Sequence, residues 1–144
     1  MNGKIEVLTL SVRDVEASIA FYTERVGFHL DVDYHPNPGF RVVQLTPAGS
    51  GCSIQFGVGL TDAPPGSARA IYLVVTDLEA THRELTERGV GVSEIQRSKN
   101  RDNWQGDWEP GIDPNHSDYA SMAEFADPDG NTWRIQEIGY TSAD

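Results

Sequence analysis

The chain has 144 residues, 38% of them hydrophobic, which is enough for one compact domain or two small fused modules with a buried core. Its formal net charge of −11 disfavours nucleic acid and anionic membranes as partners, because their phosphates would be repelled. A single cysteine, Cys52, excludes an intramolecular disulfide, and no apolar stretch has the length of a signal peptide or a membrane span. We therefore expect a cytoplasmic protein, and small neutral or cationic ligands would meet no such repulsion.

The first predicted elements are a strand and a helix. Within residues 5–12, apolar side chains alternate with Val7 and Thr9, which is the period of two of a β-strand. Asp14 is a suitable N-cap, and Gly27 stands where the following helix is expected to stop. Proline and glycine then separate three further predicted strands, at about 28–34, 40–46 and 52–58.

The same order recurs in the second half of the chain. Ser11–Arg25 aligns without gaps on Val74–Arg88, and seven of the fifteen positions are identical. Asp77 takes the place of Asp14, and strands are again predicted after the helix, at about 91–96, 119–126 and 131–138. Self-similarity at a fixed spacing indicates one supersecondary unit used twice.

The repeat predicts an α+β protein built from two tandem βαβββ modules. We expect the first module over residues 4–60, a linker over 61–69 and the second module over 70–140. Two such modules would form a curved, partly closed eight-stranded sheet around a cavity that has room for one ligand. The cleft between the modules is therefore the predicted binding site.

The second module carries an inserted loop at about 96–119. This segment is rich in Gly, Pro, Asn and Asp, yet it holds Trp104 and Trp108, and disordered segments are poor in aromatic residues. The two tryptophans either cover the cavity and stack on a planar ligand, or anchor the loop to its own sheet or to a partner subunit.

Three blocks of sequence resemble one family: VLTLSVRDVEASIAFYTERVGF, AIYLVVTDLEATHRELTERGV and FADPDGNTWRIQE. They are similar to the vicinal oxygen chelate superfamily, which contains glyoxalases, bleomycin-resistance proteins and extradiol dioxygenases. In its metal-dependent members, the resemblance implies one metal ligand in the first strand and one in the last strand of each module. The corresponding positions here are Val7, Gln55, Ala70 and Arg134.

These four residues make a poor metal site. Valine and alanine have no donor atom, Gln55 is a weak neutral ligand, and Arg134 is a fixed cation. A shift of register on the last strand would offer Thr132, Gln136 or Glu137, and none of these restores the site. We therefore predict no metal and no other cofactor.

The candidate ligand-binding residues are those expected on the cavity wall or in the inserted loop. Arg134 would grip a carboxylate, phenolate or carbonyl group, or it would instead form a salt bridge with a neighbouring acidic residue. Together the ligand-binding candidates are Gln55, Arg134, Tyr72, Trp104, Trp108 and Phe40.

Three functions remain open from the sequence. The first is a metal-independent protein of the glyoxalase/bleomycin-resistance type that binds an aromatic or polar organic ligand, with a sequestration or resistance role. The second is a metal-dependent lyase, isomerase or dioxygenase of the same superfamily. The third is a metal-free enzyme with His116 or Glu124 as acid–base and Arg134 as the partner of an oxyanion. The resemblance also implies a homodimer.

Overall fold

A computed structural model describes residues 1–99 and 106–144. By its internal contacts the chain divides into two compact units. The first comprises residues 1–68 and 127–131, and the second comprises the described residues of 69–126 together with 132–144. No helix in this described part of the chain is long and apolar enough to cross a membrane.

The first unit contains a four-stranded sheet with the order β1-β4-β3-β2. Strand β1 runs parallel to β4, whereas β3 is antiparallel to both of its neighbours. The alternation of the sequence is visible in β3 and β4, where every second side chain is buried. The strands are β1 (Val7–Thr9), β2 (His29–Asn37), β3 (Phe40–Thr46) and β4 (Ser53–Val58).

The helix of the first unit begins and ends where the sequence indicates. Asp14 is its N-cap, and the Asp14 carboxylate accepts a hydrogen bond from the backbone N–H of Ala17 at 3.1 Å. Helix α1 (Val15–Ala20) continues as a π-helical segment over Phe21–Val26. Gly27 then ends the helix with a φ of +92°, a conformation that glycine adopts without strain.

Tyr22 lies at the centre of the core of the first unit. Its ring is fully buried and stacks on Phe28 at 5.7 Å between centroids. Its hydroxyl donates a hydrogen bond of 2.8 Å to a carboxylate oxygen of Asp127. Asp127 also accepts from the backbone N–H and the side-chain amide of Asn131, so the turn over 127–131 is fixed by its own polar groups.

The second unit contains a five-stranded sheet with the order β5-β9-β8-β6-β7. Strand β5 is parallel to β9, and the remaining neighbours are antiparallel. The strands are β5 (Ile71–Val75), β6 (Gln96–Ser98), β7 (Trp108–Pro110), β8 (Ser121–Ala126) and β9 (Thr132–Glu137).

Helix α2 (Leu78–Glu87) contacts β8 and β9 and buries Leu78 and Leu85. Asp77 is its N-cap. Hydrogen bonds from the backbone N–H groups of Ala143 and Ala80 hold the pKa of the Asp77 carboxyl below its usual range.

The sheet architecture corrects the sequence-based prediction of one partly closed eight-stranded sheet. The described residues form nine strands, arranged as two separate open sheets of four and five. The additional strand, β7, comes from the segment that was expected to be a loop, and it pairs with β6 from Gln96↔Pro110 to Ser98↔Trp108. Its three residues are too few to show a period of two, and Pro110 is tolerated because β7 lies at the edge of the sheet.

Candidate functional site

Strand β9 separates two different environments. Trp133, Ile135 and Glu137 are buried on one face, whereas Arg134 and Gln136 alternate with them and project from the other. We call this other side the open face of the second sheet. The predicted alternation on this strand therefore places the Arg134 guanidinium on a face where a ligand can approach.

The cross-strand register brings two further side chains beside Arg134. Tyr72 on β5 and Glu124 on β8 are its direct neighbours on either side. Residues that lie opposite each other in a sheet have Cβ atoms about 4.5–5.5 Å apart, so their side chains share one surface. The row Tyr72–Arg134–Glu124 thus combines an aromatic ring, a cation and a carboxylate.

A cavity of about 290 Å³ opens on this face. Its wall presents three aromatic rings, one guanidinium and one amide. Among the described residues, no histidine, cysteine or carboxylate lines it. The lining residues are Tyr72, Trp108, Tyr119, Arg134 and Gln136.

The contacts of the Arg134 guanidinium with the described residues are long. Nη1 donates to the Tyr72 hydroxyl at 3.3 Å, and Nη2 lies 3.5 Å from a carboxylate oxygen of Glu124. Charge-assisted N–H···O bonds are ordinarily about 2.7–2.9 Å long, so both contacts are stretched. The buried Nε has no hydrogen-bond partner in the described part of the chain. The guanidinium therefore retains hydrogen-bonding capacity for a further acceptor.

Tyr72 also contacts Arg134 through its ring. The guanidinium carbon lies 5.6 Å from the ring centroid, which is within the range of a cation–π contact. Tyr72 is 56% exposed and leaves most of its ring available. A planar ligand would meet an aromatic surface and a cation at the same place.

The cavity brings together three of the six predicted ligand-binding residues, namely Tyr72, Trp108 and Arg134. The alternative that Arg134 pairs with an acidic neighbour is also realised, since Glu124 is that neighbour. Trp104 lies outside the described residues.

The other two candidates belong to the first unit. The Gln55 side-chain amide donates to the Thr9 hydroxyl at 2.9 Å, and the pair lies on the exposed side of the first sheet. Phe40 packs edge-to-face against Tyr34 at 6.4 Å between centroids. Neither residue lines the cavity of the second unit.

His116 lies on the opposite face of the second sheet from Arg134. Its Nδ1 is 2.6 Å from a carboxylate oxygen of the buried Glu137, and its ring stacks on Tyr140 at 3.6 Å. The other oxygen of Glu137 accepts from the backbone N–H of Leu78 in the first turn of α2. The structure therefore does not bring His116 and Arg134 together, and His116 supports the attachment of α2 to the sheet.

Two cavity residues, Tyr119 and Gln136, were not among the sequence-based candidates. Gln136 lies two residues after Arg134 on the same strand, so its side chain is on the same face. The period of two of a β-strand could therefore have identified it from the sequence. Tyr119 gave no such signal. It precedes β8 with a φ of +64°, a left-handed conformation that is uncommon for an aromatic residue.

The residues at the family's metal positions do not fit a metal ion. Arg134 would place a permanent positive charge in the coordination sphere, and Ala70 offers no donor. On β1 it is Thr9, and not Val7, that lies across from Gln55. No group of three or more His, Cys, Asp or Glu side chains that could hold a metal ion occurs within residues 1–99 and 106–144.

Comparisons with solved structures find proteins of the same fold. TnmS3, an antibiotic-binding protein from Streptomyces sp. CB03234, is 29% identical with a TM-score of 0.72, covering 96% of this chain and 98% of its own. A glyoxalase/bleomycin resistance protein from the same Streptomyces is 30% identical with a TM-score of 0.69, and 93% and 100% of the two chains are covered.

A third similar structure is a member of the glyoxalase/bleomycin resistance protein/dioxygenase superfamily from Sphaerobacter thermophilus DSM 20745. It is 25% identical with a TM-score of 0.70, and the match covers 95% of this chain and 98% of that one. The comparison with curated protein sequences gives no significant match. The family model described as Glyoxalase/Bleomycin resistance protein/Dioxygenase superfamily matches residues 4–135. The duplicated sequence, the paired modules and this match agree, and the chain belongs to the glyoxalase/bleomycin resistance protein/dioxygenase superfamily.

Proposed function

We propose that this chain is a metal-independent small-molecule-binding protein that holds an aromatic or polar organic ligand in the cavity of the second unit. One observation carries the proposal. At a position where the family resemblance implies a metal ligand, Arg134 presents an incompletely bonded guanidinium to a cavity walled by aromatic rings. That chemistry binds an acceptor oxygen on a flat molecule and repels a metal cation.

The composition of the cavity suits such a ligand. Tyrosine and tryptophan supply large rigid apolar surfaces with a polar edge, and they stack well on planar rings. A volume of about 290 Å³ lies at the lower end of the range for small-molecule sites. The amide of Gln136 beside Arg134 adds a second group that can orient the ligand through hydrogen bonds.

The similarity to TnmS3, which is an antibiotic-binding protein, supports a role in binding a natural product. We include sequestration of, or resistance to, such a compound in the proposal. The homodimer and the cytoplasmic location stay predictions from the sequence.

The two catalytic alternatives have less support. A metal-dependent reaction needs a coordination site that the residues at the family positions do not supply. A metal-free reaction through His116 and Arg134 needs both groups on one substrate, whereas they lie on opposite faces of the sheet.

A fluorescence titration tests the proposal. The purified protein is titrated with a panel of neutral and charged polycyclic aromatic compounds while tryptophan emission is recorded. We expect a saturable change with at least one compound, and we expect Trp108→Phe to reduce that change because Trp108 lines the cavity.

The matched pair of variants is Arg134→Gln and Arg83→Gln. Both remove one positive charge, but Arg83 is an exposed residue of α2 that pairs with Asp144. Binding should weaken about tenfold or more in Arg134→Gln, because hydrogen bonds that involve a charged group contribute about 1.5–3 kcal/mol. In Arg83→Gln the affinity should stay unchanged. Equal affinities of the two variants, or a stoichiometric transition metal in protein purified without chelator, would contradict the proposal.

A further inference from the structure

We propose that the ligand of this cavity is a planar aromatic compound with a deprotonated oxygen, a carboxylate or a phenolate, and that Glu124 limits the affinity for this ligand by competing for Arg134. The inference rests on the proposed function, because it names the class of ligand that the same cavity takes. Four features of the second unit support it, and they concern charge, hydrogen bonding, the placement of Glu124 and the shape of the wall.

The first feature is the charge of the wall. Among the described residues that line the cavity, Arg134 is the one with a charged side chain, and it brings a positive charge to the wall in a chain that is otherwise strongly acidic. The Arg134 side chain is 24% exposed, and a partly desolvated cation gains more from a counter-charge than an exposed one does. An anionic group on the ligand would supply that counter-charge.

The second feature is the hydrogen bonding of the guanidinium. Its contacts with Tyr72 and Glu124 are 3.3 and 3.5 Å long, and Nε has no partner in the described part of the chain. An anionic oxygen that approaches to about 2.8 Å would make a shorter and stronger bond than either present contact. A neutral carbonyl would gain less, because charge-assisted bonds are roughly twice as strong as neutral ones.

The third feature is the placement of Glu124. It lies directly across from Arg134 on β8, yet it does not line the cavity, and its side chain is 42% exposed. Its carboxylate can therefore turn into water when another anion approaches Arg134, at a cost of the order of an exposed ion pair. In the free protein the same carboxylate partly neutralises Arg134, which lowers its affinity for weak anions.

The fourth feature is the shape of the wall. Three aromatic rings line the described part of the cavity wall, those of Tyr72, Trp108 and Tyr119, and the Tyr72 ring also lies near the Arg134 guanidinium. A flat ring system can stack on these side chains while its oxygen points along the sheet towards Arg134. An aliphatic anion would leave the rings uncovered and would bind more weakly.

The test uses a pair of probes that differ only in charge, 2-naphthoate and 2-naphthamide, measured by isothermal titration calorimetry at pH 7. We expect the wild-type protein to bind naphthoate at least tenfold more tightly than naphthamide. Arg134→Gln should abolish this preference. Rising salt concentration should weaken naphthoate binding and leave naphthamide binding nearly unchanged.

The role of Glu124 is measured with Glu124→Gln and its control, Glu84→Gln. Both variants lose one negative charge, and Glu84 on α2 forms an exposed ion pair with Arg88. We expect Glu124→Gln to bind naphthoate about two- to fivefold more tightly, which corresponds to the loss of an exposed ion pair of about 0.4–1 kcal/mol, and to bind naphthamide as before. Glu84→Gln should match the wild type with both probes.

Each outcome decides a different point. If the wild type binds both probes equally, the inference about an anionic ligand is overturned while the proposed function stands. If Glu124→Gln behaves like Glu84→Gln, the competing role of Glu124 is overturned. If neither probe binds, the inference fails, and the neutral members of the aromatic panel then decide the proposed function separately.

Discussion

The hydrogen bond between Tyr22 and Asp127 offers a sharp test of how the first unit is held together. Replacing Tyr22 by phenylalanine removes one hydroxyl from a fully buried ring and leaves its stacking on Phe28 in place. The bond joins residues 105 positions apart in the chain at 2.8 Å, and both residues belong to the first unit.

The expected loss follows from the partners that Asp127 retains. A hydrogen bond to a charged group contributes about 1.5–3 kcal/mol to the free energy of unfolding. The affected oxygen of Asp127 keeps a hydrogen bond of 2.8 Å from the Asn131 amide, so it is not left without a partner. We therefore expect the lower part of that range, about 1.5–2 kcal/mol, and a decrease in Tm of about 4–6 °C for a chain of this size.

Urea denaturation followed by circular dichroism measures this loss. The midpoint should fall while the slope m stays constant, because the variant exposes the same surface on unfolding. Tyr34→Phe is the control, since it deletes the same atom from a tyrosine that is 56% exposed, and its stability should change by less than about 0.5 kcal/mol. A Tyr22→Phe variant as stable as Tyr34→Phe would refute the reasoning.

Two further predictions concern the strands and the helix cap. Gly57→Ala should destabilise the protein by about 3 kcal/mol or more, because the new Cβ would lie 1.8 Å from the carbonyl oxygen of Arg41. Gly51→Ala is the control, because the space around Gly51 is open and its stability should not change. Thermal unfolding compares the two variants. Asp77→Ala should cost about 1 kcal/mol at pH 7 through the lost cap of α2. Hydrogen bonds, the largest from the backbone N–H of Ala143, lower the pKa of Asp77 in the folded state. The contribution of the Asp77 carboxylate to the free energy of unfolding is therefore complete above pH 3.8, and it disappears as the pH falls through the lower pKa of the folded state. The difference in the free energy of unfolding between wild type and variant should therefore be largest at pH 7 and should decrease as the pH is lowered below 3.8.

Several features of the fold could be predicted because neighbours in the chain determine them. Asp14 and Asp77 are the N-caps of both helices, since the geometry of a helix start involves only the next three residues. Gly27 ends the first helix for an equally local reason. The alternation of residues along β9 also indicated that the Arg134 side chain lies on the face opposite the buried side chains.

Other features depend on contacts between distant residues and could not be predicted. Strand β7 exists because Trp108–Pro110 pairs with β6, and nothing in its three residues indicates that pairing. Tyr119 lines the cavity and has a left-handed backbone conformation, and no pattern in the neighbouring sequence indicates either feature. His116 was a candidate acid–base group, and only its contact with the buried Glu137 places it on the side of α2.

The sequence by itself determined the duplication, the strand and helix periods, the caps and the absence of good metal donors at the four family positions. These properties depend on residue type and on spacing along the chain. The tertiary structure alone decided what surrounds Arg134. Its partners Tyr72 and Glu124 are 62 and 10 residues away, and they are adjacent only because strand pairing fixes the register across three strands. Register is a property of the assembled sheet, because each pairing depends on the packing of side chains that lie far apart in the chain.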